Sequence, residues 1–173
     1  MIKWTALLLP LTLLTAPRLT GAEFSAVVVD VYDGDTLTVR DQERTVRIRL
    51  SGIDSPERNQ PFGDQARSFT ADLALGQTVT IIDDNADRYG RLVAWVILPD
   101  GRNLNEEIVA AGWAWWYRQY SPGSRVLAAL ESEARNRHRG LWAAGDPTAP
   151  WESRKHPLRS KRSDRRDTGR ATR

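Results

Sequence analysis

Residues 45–57 read Thr45-Val46-Arg47-Ile48-Arg49-Leu50-Ser51-Gly52-Ile53-Asp54-Ser55-Pro56-Glu57, and the period of this stretch decides the fold. Val46, Ile48 and Leu50 fall on one side of a two-residue repeat and Arg47, Arg49 and Ser51 on the other, the signature of a half-buried strand. Arg49 is therefore mounted on the polar face of a rigid element. Upstream, Phe24–Val31 is a mostly apolar run with three successive valines, readable as a buried strand. Asp33-Gly34-Asp35 is a turn signal, so Thr36–Arg40 is the returning strand of a hairpin. Downstream, Thr78–Ile82 and Leu92–Leu98 read as two more strands, with a turn at Tyr89-Gly90 before the second.

Helices interrupt and follow the strands. Ala66, Phe69 and Leu73 form a helical stripe over residues 63–75, stopped by Gly76. Asn103-Leu104-Asn105-Glu106 approximates a capping box, and the short helix behind it is expected to end at Gly112. Ser121-Pro122 is expected to open a third helix with stripe residues Val126, Leu127, Leu130 and Ala134, closed by Gly140. Five short strands with a helix between the third and fourth imply an α+β, β-rich architecture: a five-stranded Greek-key barrel of OB type with three helices.

The chain ends differ from the body. Lys3 precedes an apolar stretch over residues 5–16, and Thr20-Gly21-Ala22 ends on a small residue, so residues 1–22 are expected to be an export signal. About 12 apolar residues fall short of the ~20 that span a bilayer, so no stable membrane insertion is expected after cleavage. A periplasmic or extracellular location follows. The chain has no cysteine, which rules out disulfides and zinc–thiolate sites. Residues 23–150 hold 14 arginines, no lysine and 19 acidic residues, a net of −5, whereas residues 151–173 carry a net of +6. The expected boundaries are a folded domain over 23–145 and a basic, disordered tail over 146–173. That tail is equally readable as a nonspecific polyanion holder or a solvated solubility tail.

The chemistry lies in the carboxylates and arginines. Asp35 and Asp54 are hard oxygen ligands suited to Ca²⁺ or Mg²⁺, with Mn²⁺ also permitted, and adjacent strands bring them together. A cation there polarises a phosphoryl oxygen. Glu57, three residues past Asp54 across a stiffening proline, is placed to hold or deprotonate water. Arg49 and Arg91 suit the non-bridging oxygens of a phosphodiester, because guanidinium is always charged and binds two oxygens at once. His138 and His156 are remote from these residues, which argues against histidine catalysis. Trp113, Trp115 and Trp142 read chiefly as core packing, with nucleobase stacking as the lesser reading; Trp151 reads as an anchor for the tail.

The combination of Asp33-Gly34-Asp35-Thr36, Arg49 through Glu57 and Asp87-Arg88-Tyr89-Gly90-Arg91 resembles the thermonuclease (staphylococcal nuclease-like) family. The resemblance continues through Asn105-Glu106, Gly112-Trp113-Ala114 and Gly140-Leu141-Trp142 and spans roughly residues 24–143. It implies Ca²⁺-dependent endonucleolytic hydrolysis of DNA and RNA that leaves 3′-phosphate ends, carried out by a monomer. It assigns Asp35 and Asp54 as metal carboxylates, Ser55 as a backbone metal ligand in place of the family's threonine, and Arg49, Glu57 and Arg91 as catalytic residues. Substrate contacts are implied for Tyr89, Arg118 and Tyr120, with Arg118 standing where the family's prototype has a tyrosine. The loop Arg58–Asp64 is also shorter than the prototype's lysine-rich loop. The alternative is a noncatalytic nucleic-acid-binding module of the same fold. A surface adhesion domain working through the basic tail is a third reading.

Overall fold

The computed structural model describes residues 22–42, 44–87 and 91–155. In chain order the elements are β1 (Glu23–Val31), β2 (Thr36–Asp41), β3 (Arg44–Leu50), β4 (Ile53–Asp54), α1 (Gly63–Ala74), β5 (Thr78–Ala86), β6 (Leu92–Ile97), α2 (Leu104–Ala110), β7 (Trp115–Trp116), α3 (Arg125–Asn136), a 3₁₀ turn (Gly140–Ala144) and α4 (Pro150–Lys155). Five strands close a barrel in the order β1-β2-β3-β6-β5, the expected architecture. Every pairing is antiparallel except β3 with β6.

The alternation of β3 holds as read: Ile48 and Leu50 are fully buried, Ile48 opposite Leu37 of β2 and Leu50 opposite Ala94 of β6, in the barrel core. The valine run of β1 is not buried throughout. Val28 faces the core while Val29 is 37% exposed. A bulge between Val28 and Asp30 resets the alternation, so Val31 returns to the interior.

The helices fit their local signals with two differences. Asn103 caps α2 as expected, its side chain accepting from the backbone N–H groups of Asn105 and Glu106. The third helix starts at Arg125 rather than at Pro122, because Ser124 is the residue whose side chain accepts from the Leu127 N–H. Where three helices are expected, the described residues contain four α-helices and a 3₁₀ turn. The fourth, α4, lies beyond the expected domain boundary at residue 145. It has too few apolar residues for a helical stripe of its own and is held by aromatic contacts instead.

Two glycines join the helical layer. A side chain on Gly112 would meet the Arg139 carbonyl, and one on Gly140 would meet the Gly112 carbonyl. Only glycines allow this approach, and it lets the Leu141 N–H donate to Gly112 O at 2.9 Å. Leu141 and Trp142 thereby enter a second cluster with Trp115, Ala134 and Ala149, against which Trp113 and Trp151 pack. The tryptophans are thus mostly packing residues, in line with the stronger reading. No helix among the described residues is long and apolar enough to cross a membrane. The export signal of residues 1–22 and the tail beyond Lys155 lie outside the described residues, apart from Ala22.

Candidate active site

The β1–β2 turn supplies the first carboxylates. The Asp35 N–H donates to Asp33 Oδ1 at 3.1 Å, a local side-chain bond that fixes the turn. The Leu50 N–H then donates to Asp35 O at 2.8 Å, tying the turn to the end of β3. Beyond that end the chain doubles back into β4, which pairs with β7 in the register Ile53↔Trp116 and Asp54↔Trp115. Asp54 is thereby fixed beside Asp35, and both are buried. Ser55 follows, its N–H donating to Asp35 Oδ2.

Arg49 joins the two aspartates. Its Nη2 donates to Asp54 Oδ1 at 2.7 Å, and its Nη1 lies 3.2 Å from Asp35 Oδ2. The same Nη1 also donates to the carbonyls of Leu50 and Ile53 at 3.1 and 2.9 Å. Burial works against its charge, but Asp35 and Asp54 outweigh that and hold its pKa above the ordinary value. Burial, then the like charge of Asp35, pushes Asp54 up to about 6 against the opposing pull of Arg49. Burial and Asp35 likewise push Asp33 up to about 7.

Glu57 is half-exposed at the rim, its N–H donating to Gln60 Oε1 at 2.8 Å. Arg91 is held on Asp87, with Nη2 and Nε at 2.7 and 2.8 Å from Asp87 Oδ2. Together these groups line a cleft of about 560 Å³ that includes Asp35, Arg49, Asp54, Glu57 and Arg91. That volume suits a nucleotide-sized ligand.

The expected substrate residues divide. Tyr120 lines the cleft, 4.9 Å from the ring of Tyr117. Arg118 does not line it: its Nη2 pairs with Glu131 Oε2 at 3.2 Å and its guanidinium covers the Trp116 ring. Tyr117 occupies the cleft wall instead, because its N–H donates to Gly52 O at the end of the β4–β7 pair. Tyr89 lies outside the described residues.

One residue escaped the sequence reading altogether. Arg154 of α4 donates from Nη2 to Asp54 Oδ2 and from Nη1 to Glu57 Oε1, both at 2.7 Å. Its partners lie 100 and 97 positions away in the chain. The only local signal was Trp151, which stacks on Tyr117 at 5.2 Å and brings α4 to the cleft.

The donor chemistry fits a hard divalent cation. Asp35 and Asp54 present buried carboxylates side by side, and a cation would offset both the burial and, after it, the repulsion from Asp35 that raise Asp54. Ser55 Oγ, next to them, is a buried oxygen without a hydrogen-bond partner. Among the described residues no three carboxylate, histidine or cysteine side chains gather as a complete metal cage. Asp35, Asp54 and Ser55, the last expected to act through its backbone carbonyl, are the protein's candidate donors.

Comparison with known proteins agrees with this geometry. Residues 47–144 match the family model described as staphylococcal nuclease homologue. An uncharacterized endonuclease of Escherichia coli is 45% identical over 130 residues, 75% of this chain and 84% of the relative. The micrococcal nuclease of Shigella flexneri is 38% identical over 143 residues, 78% of this chain and 82% of that protein. Protein ParB of Escherichia coli is 36% identical over 157 residues, 86% of each chain. A closed five-stranded barrel with paired buried aspartates, a rim glutamate and cleft arginines, matched over more than half its length, places the chain in the staphylococcal nuclease family, as a nuclease acting on nucleic acid.

Proposed function

We propose that this chain is a calcium-dependent, sugar-nonspecific endonuclease that hydrolyses DNA and RNA to 3′-phosphate ends. The observation that carries the reading is the convergence of Asp35, Asp54, Arg49, Glu57 and Arg91 on one cleft. A Ca²⁺ held by Asp35, Asp54 and Ser55 would supply charge neutralisation at a phosphoryl oxygen. Mg²⁺ and Mn²⁺ share the same donor preference, so the choice of ion rests on the family.

The protein's own groups do the remaining work. Glu57 Oε1 is engaged by Arg154, which leaves Oε2 to orient the attacking water and accept its proton. Arg49, charged under all conditions, and Arg91, held on Asp87, face the cleft where negative charge grows on the phosphorus oxygens. Tyr117 and Tyr120 flank the nucleoside. The 5′-oxygen leaves opposite the water. The leader-like residues 1–22 support export to the periplasm or medium, and a cleft complete within one chain supports action as a monomer.

The test is degradation of denatured and duplex DNA by the purified chain in Ca²⁺ and in excess chelator, with Glu57→Gln as control. The expected result is Ca²⁺-dependent degradation that the control lowers by about 10²–10⁴-fold. DNA binding without any cleavage would instead favour the noncatalytic binding module.

A further inference from the structure

We propose that Arg154 is a substrate-contacting residue of the cleft, and that α4 is a permanent wall of the active site that binds the phosphodiester. The inference rests on the nuclease reading and extends it to a segment beyond the family match, which ends at residue 144.

Arg49 spends its fork on Asp54, Asp35 and two backbone carbonyls, and its side chain is only 14% exposed. Arg91 is held on Asp87 and is 29% exposed. Arg154 is 45% exposed and uses one N–H of each Nη for Asp54 and Glu57. A guanidinium has five N–H donors, so three remain for a ligand. Two carboxylates fix the plane of the group, and a pre-oriented fork is the geometry that recognises a phosphate.

The packing of α4 supports a resident arginine. Trp151 stacks on Tyr117 with planes 13° apart and meets Trp115 edge-on at 6.2 Å. Ala149 and Pro150, which lead into the helix, are buried. The segment is thus packed into the second apolar cluster. A latch that must leave for turnover would have to break these aromatic contacts. A phosphate between Arg154 and Arg49 would instead share the cleft that Glu57 also lines. Trp151 at the same time braces Tyr117, setting the nucleoside wall and the phosphate donor on one element.

Arg154→Ala and Arg154→Lys in the full chain test this. Binding of a nucleoside 3′,5′-bisphosphate is measured by calorimetry, in Ca²⁺ and in chelator, beside kcat and KM on a short single-stranded DNA. Loss of a charge-assisted hydrogen bond predicts about 10- to 100-fold weaker binding and a matching rise in KM for the alanine variant. The lysine variant should fall between it and wild type, which also covers an alanine variant that fails to fold. Unchanged binding, or tighter binding with faster turnover, would overturn the inference, the latter marking α4 as a plug. A wild-type chain that neither binds nor cleaves would sink the nuclease reading and this inference together.

Discussion

Arg49 Nη2 stands 2.7 Å from Asp54 Oδ1, inside a site where both side chains are largely buried. The pair is structural as well as chemical, since the same guanidinium holds the Leu50 and Ile53 carbonyls of the connection between β3 and β4. Arg49→Ala leaves Asp54 buried with only Arg154 for a partner. Breaking a buried pair on one side costs about 3–5 kcal/mol, so urea denaturation should show a loss near that range. Arg49→Lys keeps the charge but loses the fork. It should retain more stability than alanine while its turnover still falls by about 10²-fold or more. Equal stability of all three proteins would separate Arg49 from the loop it is argued to hold.

The raised aspartates set opposite pH trends for the protein with and without a cation. Asp33 at about 7 and Asp54 at about 6 both lie above the ordinary 3.8. Their protonated forms are therefore favoured by folding. The stability this contributes is complete below about pH 4 and is lost as pH rises through 6–7. Cation binding needs the ionised form of Asp54, so its stabilising effect should grow as pH rises through about 6. Thermal melts from pH 5 to 8 should show the chelated protein losing stability with rising pH in this component while the Ca²⁺-induced gain in Tm increases. A Ca²⁺ gain that is flat across pH 5–8 would contradict the assignment of Asp54 as a donor.

Gly63 packs against the backbone of Glu57. A Cβ at this position would lie 2.2 Å from the Glu57 carbonyl oxygen, well inside contact distance, and the atom it meets is backbone that must shift. Gly63→Ala is thus expected to displace Glu57 while leaving the barrel intact. The measurement is kcat against melting temperature. A fall of about 10-fold or more in kcat is expected, since misplacement by about 1 Å is costly to a positioned group. Wild-type kcat would show that the Glu57 backbone is not constrained from this side.

Asn105 is a buried polar clasp. Its Oδ1 accepts from the Val96 N–H at 3.2 Å, and its Nδ2 donates to Ser51 O and Ala94 O at 2.9 and 3.2 Å. It thereby fastens α2 to β6 and to the turn that leads into Asp54. Asn105→Ala strands the Val96 N–H and removes the Ser51 O donor, at a cost of about 2–4 kcal/mol. Chemical denaturation measures this directly, and a change under about 0.5 kcal/mol would mean that water replaces the side chain.

Much of this molecule is written in local sequence. The two-residue period of residues 45–50 fixes which face of β3 enters the core, and the inward positions Ile48 and Leu50 follow from it without any knowledge of neighbours. The turn at Asp33-Gly34-Asp35 and the Asn103 cap are equally local. So is the inventory of the site, since Asp35, Arg49, Asp54, Glu57 and Arg91 each stand in a recognisable motif. Tertiary structure decided what those motifs could not. The main-chain bond from Tyr117 to Gly52 put that tyrosine in the cleft, whereas Arg118 joins Trp116 N–H and Arg135 on the buried carboxylate of Glu131. Arg154 sits in a segment whose composition reads as tail, and no periodicity marks it. Its place at Asp54 and Glu57 comes from packing of Trp151 on Tyr117 and Trp115, a contact between residues more than thirty positions apart. Local patterns set backbone conformation and facing; long-range packing of large rings and charges selects which distant side chain completes the site.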